Sequence, residues 1–122
     1  MPARRDLVFI VDGDQAVRDS LRFVVELDGM DVRTCSSVTD LLTHPDLSAG
    51  CCAIVDVRTL GRDRELLERL ESNQETLPVV LIADHVSRRM LTRPTSPGGF
   101  CIVEKPVLDD ALLQSIRAVR RR

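Results

Sequence analysis

The sequence predicts an α/β domain in which a parallel sheet is flanked by helices. Short apolar runs alternate along the chain with amphipathic segments, and three of the runs, at residues 7–11, 51–55 and 100–103, lead into Asp12, Asp56 and Lys105. In parallel sheets ligands bind outside the carboxyl ends of the strands, so these three charged side chains are expected at one shared site. With 122 residues the chain is expected to form a single domain over 1–122, around one core under two layers of helix.

The first strand, at residues 7–11, passes through Asp12-Gly13-Asp14 into a helix whose Val17, Leu21 and Val24 recur at helical spacing, with Asp28-Gly29 as its stop. Residues 30–35 alternate Met30, Val32 and Thr34 with Asp31 and Arg33, the pattern of a strand near a sheet edge. Ser37-Val38-Thr39-Asp40 has capping-box spacing before Leu41-Leu42, and that short helix should end by His44-Pro45. The third strand ends at Asp56, a loop over 57–63 follows, and a helix carries Leu66, Leu67 and Leu70. Leu77-Pro78 then introduces a strand at 79–82. Between 84 and 99, Pro94, Pro97, Gly98 and Gly99 leave room for only a short helix around 87–92. The fifth strand, at 100–103, precedes Glu104-Lys105-Pro106, and a final helix from about Asp109 gathers Leu112, Leu113, Ile116 and Val119 on one face.

Composition narrows the function. Hydrophobic residues make up 43% of the chain, and 17 Lys and Arg against 19 Asp and Glu leave a net charge of −2, which fits a soluble globular protein without an overall basic footprint. Trp and Tyr are absent, so no base-stacking platform is expected, and Arg88, Arg89, Arg93 and the terminal arginines read as solvated surface, not as a nucleic-acid interface. No stretch approaches a membrane span or a signal peptide, which points to the cytoplasm. The four cysteines, Cys35, Cys51, Cys52 and Cys101, form no C-x-x-C pair and are expected to be reduced, buried and structural.

An acidic cluster at strand ends is costly unless a hard cation neutralises it, and Mg²⁺ takes carboxylate, carbonyl and water oxygens. Asp12 and Asp56 are natural ligands. A carboxylate on such a loop is also a nucleophile toward a phosphoryl group, with the metal and a lysine balancing charge during in-line transfer. Asp56 suits the first role and Lys105 the second. Each residue singly has a plainer explanation, since Asp often caps a helix or forms a turn at such junctions and Lys-Pro is an ordinary exit from a strand.

Taken together, these residues resemble the receiver domain of two-component response regulators, and most nearly FixJ-like receivers that precede a LuxR-type helix-turn-helix domain. The supporting segments are Val8-Phe9-Ile10-Val11-Asp12 with Ala16-Val17-Arg18-Asp19-Ser20-Leu21, then Ala53-Ile54-Val55-Asp56-Val57-Arg58, Pro78-Val79-Val80-Leu81-Ile82 with His85, and Val103-Glu104-Lys105-Pro106. The resemblance implies a flavodoxin-like, doubly wound sheet of five parallel strands in the order 2-1-3-4-5. It implies Asp56 as phosphoacceptor, Asp12 in the acidic pocket, the Arg58 backbone carbonyl as a metal ligand, Lys105 as the phosphate contact, and Mg²⁺ as the ion. It further implies a sensor histidine kinase as phosphodonor, with a homodimer and a helix-turn-helix output domain beyond Arg122 among the partners the family brings. Such a domain signals; its only catalysis would be of its own phosphorylation and dephosphorylation.

The chain departs from the family at several points. Gly13 stands where a second acid usually contacts the metal, which weakens the expected Mg²⁺ site; Asp14 is its nearest replacement, and an N-cap role suits it equally. Ala83 occupies the switch position that normally carries a hydroxyl, and Ile102 the position of the switch aromatic. Thr59-Leu60 replaces a Met-Pro pair after Asp56, and Pro94 through Gly99 fall on a degenerate fourth helix. These departures keep a second reading open, that of a phosphorylation-independent receiver acting as a protein-interaction module. A remoter one takes Asp12-Gly13-Asp14 as the nucleophile motif of haloacid-dehalogenase-like phosphatases, with Asp12 as nucleophile and Asp14 as acid/base.

Overall fold

The computed structural model describes residues 6–61, 64–72, 77–83, 101–104 and 109–119. Strand β1 (Leu7–Val11) is followed by α1 (Gln15–Leu27), β2 (Asp31–Cys35), α2 (Val38–Leu42), β3 (Gly50–Asp56), α3 (Arg64–Ser72), β4 (Val79–Ala83), β5 (Cys101–Glu104) and a final helix, Asp109–Val119. All neighbouring strands pair in parallel in the order β2-β1-β3-β4-β5, the doubly wound α/β arrangement expected from the sequence. The segment expected to hold a degenerate fourth helix lies outside the described residues, as do His85, Lys105, Pro106 and the arginines at 88, 89, 93 and 120–122.

Alternation along the strands divides the core between the two faces of the sheet. Phe9, Val11, Ala53, Val55, Val79 and Leu81 pack on one face with Val38 and Leu41 of α2 and Leu70 of α3. Val8, Ile10, Cys52, Ile54 and Ile82 pack on the other with Val25 of α1 and with Leu112 and Ile116 of the final helix. At β2, Met30 and Val32 point inward as expected, whereas Thr34 is exposed and Cys35 turns to the opposite face. Cys35, Cys51 and Cys52 are buried thiols; burial, and then the charge of Asp40, push the Cys35 thiol above its ordinary range, which favours its protonated, unreactive form.

Local signals account for the element ends. Asp14 accepts the Ala16 N–H at 2.9 Å and caps α1, and Ser37 accepts the Asp40 N–H at 3.1 Å and caps α2. Helix α1 closes in a Schellman motif: the Gly29 N–H donates to the Glu26 carbonyl and the Met30 N–H to the Val25 carbonyl, with Gly29 at φ +89° where a Cβ would be strained. At the same end of the sheet, a Cβ on Gly50 would lie 2.6 Å from the Phe9 ring, so glycine there lets the ring pack against the β3 backbone. The next residue, Cys51, is an extra one in the β1–β3 pairing, since Leu7 pairs with Gly50 and Val8 with Cys52. Among the described residues no helix is long and apolar enough to cross a membrane.

Candidate functional site

Asp12 and Asp56 immediately follow Val11 and Val55, which are partners in the β1–β3 register, so the two acids leave adjacent strands side by side. Both are buried, each 2% exposed. Each is held by a short turn of its own making. An Asp12 oxygen, Oδ1, accepts the Asp14 N–H at 2.9 Å, and Asp56 Oδ1 accepts the Arg58 N–H at 2.8 Å. The plain explanation offered for an aspartate at a strand end is therefore true of both residues, and it orients each carboxylate for anything further it does.

The segment expected as a loop after Asp56 begins instead as one turn of 3₁₀ helix over Val57–Thr59, with Asp56 as its cap. That turn brings the Arg58 side chain back over the acid: its Nε donates to Asp56 Oδ1 at 3.3 Å and its Nη2 to Oδ2 at 3.2 Å. The Thr59 hydroxyl donates to the Asp56 carbonyl at 2.6 Å, and Leu60 enters the core beneath. A second arginine, Arg18 of α1, donates from Nη1 to the Asp12 carbonyl at 2.7 Å. Neither guanidinium is singled out by reading the sequence; the available signal was two cations, two and six residues after the acids, on a chain whose Gly13 lacks a carboxylate.

Asp12, Asp14, Asp56 and Arg58 line one open cleft of about 670 Å³ together with Gly13, Gln15, Ser36 and Thr59. Asp14 meets the cleft from its exposed capping position. Ala83 is the last residue of β4, not the residue after it, and is fully buried; the neighbouring Ile82 pairs with Asp56, so a methyl group stands at the end of the adjoining strand. Lys105 lies outside the described residues. On β5, Ile102 pairs with Leu81.

A divalent cation would find a reduced but chemically suitable donor set here. Mg²⁺ keeps several waters and is commonly held by one or two carboxylates, which Asp12 and Asp56 supply. The Arg58 carbonyl accepts the Gly61 N–H at 3.2 Å, and a carbonyl oxygen has two lone pairs. Among the described residues no three acidic, histidine or cysteine side chains gather as a ready-made ion site. Among the described residues a Cβ at Gly13 would meet nothing within 4 Å, so there is room where the family's second acid would stand.

Comparison with known proteins identifies the family. The response regulator receiver domain family model matches residues 8–117. FixJ, a transcriptional regulatory protein of Bradyrhizobium diazoefficiens, is 32% identical over 117 residues, covering 94% of this chain and 57% of its own length. DctR, the C4-dicarboxylate transport transcriptional regulatory protein of Rhodobacter capsulatus, is 34% identical over 109 residues, covering 87% of this chain and 55% of its own. The chain thus spans little more than half the length of these two relatives. The crystal structure of full-length FixJ from B. japonicum superposes with a TM-score of 0.78 at 30% identity, over 96% of this chain and 58% of that one. A receiver domain from Clostridium thermocellum shares the fold with a TM-score of 0.76 at 19% identity, over 93% of each chain. The match sets aside the phosphatase reading of Asp12-Gly13-Asp14. With the family model matched over residues 8–117 and relatives more than 30% identical over most of its length, the chain belongs to the response regulator receiver domains and is a receiver of two-component signal transduction.

Proposed function

We propose that Asp56 is the phosphoacceptor of this receiver and that a sensor histidine kinase is its donor. The observation that carries the reading is the burial of Asp12 and Asp56 side by side at the carboxyl ends of β1 and β3, facing an open cleft. An Asp56 carboxylate oxygen attacks phosphorus in line; a P–O bond forms as the P–N bond to the donor imidazole breaks, and the imidazole takes up a proton. Asp12, Asp56 and the Arg58 carbonyl would hold Mg²⁺, which supplies counter-charge to the phosphoryl oxygens when bound. Affinity for the ion is expected to be low, because Gly13 contributes no ligand. Asp14 is engaged as the α1 cap and is a poorer candidate ligand than Asp12. Lys105 is assigned the phosphate contact by its place after β5.

The domain signals and does not turn over a substrate, and its location is read as cytoplasmic. A homodimer and a helix-turn-helix output domain beyond Arg122 are part of the same proposal, supported by relatives that are longer than this chain and named as transcriptional regulators. A phosphorylation-independent interaction module is the second reading, favoured by Gly13 and by the methyl of Ala83 at the switch position.

Intact-protein mass after incubation with acetyl phosphate and Mg²⁺ separates the two. A one-phosphoryl increment on the native chain, absent from Asp56→Asn, is the expected result. An increment retained by Asp56→Asn would move the acceptor elsewhere, and no increment on the native chain would favour the interaction module.

A further inference from the structure

The Arg58 side chain has a position that a role for its carbonyl alone does not explain. Its guanidinium lies along the Asp56 carboxylate, with Nε toward Oδ1 at 3.3 Å and Nη2 toward Oδ2 at 3.2 Å, the two-pronged geometry in which arginine pairs best with a carboxylate. Because Asp56 Oδ1 also accepts the Arg58 N–H at 2.8 Å, one residue occupies both oxygens of the acid. The pair is uneven. Asp56 is 2% exposed and the Arg58 side chain 60%, so the acid is fixed in place while the cation sits at the cleft mouth with room to swing away.

We propose that Arg58 is a tethered counter-ion that competes with the divalent cation for Asp56, so that metal loading requires the guanidinium to leave the carboxylate. The proposal rests on the reading of Asp12 and Asp56 as the metal ligands. A bound guanidinium cancels one of the two negative charges that would attract the ion and covers the lone pairs the ion would take. Gly13 makes the effect larger, since no side chain at that position offsets the lost charge. Metal loading of this receiver is therefore opposed by a contact within the chain, which the ion must displace.

Isothermal titration with Mg²⁺ alone tests this without any phosphodonor. Removing the competitor in Arg58→Ala is expected to tighten Mg²⁺ binding by about five- to tenfold, the size of a partly exposed charge-assisted pair. Arg58→Gln, which keeps much of the stem, should shift affinity in the same direction if the alanine variant folds poorly. In the native protein the Arg58 Nε–H resonance should be protected from solvent exchange without metal and lose that protection on saturation with Mg²⁺. Unchanged or weaker Mg²⁺ affinity in both variants, or an Nε–H signal indifferent to the ion, would overturn the proposal. An increment surviving in Asp56→Asn would overturn the acceptor assignment instead, so the two failures are distinct.

Discussion

At the carboxyl ends of β1 and β3 two buried acids are surrounded by donors: the Asp14 and Arg58 amides, the Arg58 guanidinium and, on the Asp12 carbonyl, Arg18. At the end of β4, one residue past Ile82, the register partner of Asp56, stands Ala83, fully buried, with no polar atom on its side chain. The first region gathers side chains suited to taking a charge; Ala83 offers no hydroxyl with which to sense one. On the proposed reading, accepting a phosphoryl group and responding to it are carried by different strands, and this chain keeps the two acids for the former, without a ligand at Gly13, while lacking a hydroxyl at Ala83 for the latter. Newly added charge shifts a conformational equilibrium only through groups that bind it differently in the two states.

The comparison breaks most sharply at Asp56. Asp56→Asn keeps an oxygen to accept the Arg58 N–H, so the fold should persist while phosphorylation is abolished, as read by circular dichroism and intact mass. Asp12→Ala leaves the Asp14 N–H without its acceptor next to the site; urea denaturation should show a loss of about 1–3 kcal/mol, accompanied by slower phosphorylation. On the other strand, Ala83→Thr adds volume at a fully packed position and should cost about 1–3 kcal/mol by the same assay, while enlarging the phosphorylation-dependent change. Asp14→Ala removes the α1 cap and should cost about 1 kcal/mol, with phosphorylation little changed if capping is its role. Smallest is the effect of Cys35. Its proton is held more tightly in the folded than in the unfolded chain, so its contribution to stability is complete below the ordinary thiol range and fades as pH rises through it. Between about pH 8 and 10 the native protein should therefore lose slightly more stability than Cys35→Ala.

Much of the scaffold was legible because its signals are local. Continuous apolar runs gave the strands, Asp14 and Ser37 the helix starts, and Asp28-Gly29 the end of α1. Asp12 and Asp56 were legible as a pair because a parallel sheet brings its strand ends together. What escaped depends on contacts between distant elements or on a single backbone turn. The need for glycine at Gly50 arises from the Phe9 ring, forty-one positions earlier in the chain. The extra residue Cys51 in the β1–β3 pairing leaves no mark on an apolar run. The fold of Arg58 onto Asp56 follows from the 3₁₀ turn at Val57–Thr59, which reads in sequence as an ordinary loop.

The separation of charge acceptance from response is tested most directly by backbone amide NMR of the native protein and Ala83→Thr. Each would be recorded before and after addition of beryllofluoride, a mimic of an aspartyl phosphate, in the presence of Mg²⁺. The native protein should show shifts confined to residues around Asp12, Asp56 and Arg58, and Ala83→Thr should extend them along β4 and β5. Shifts reaching β4 and β5 in the native protein to the same extent as in Ala83→Thr would contradict the account.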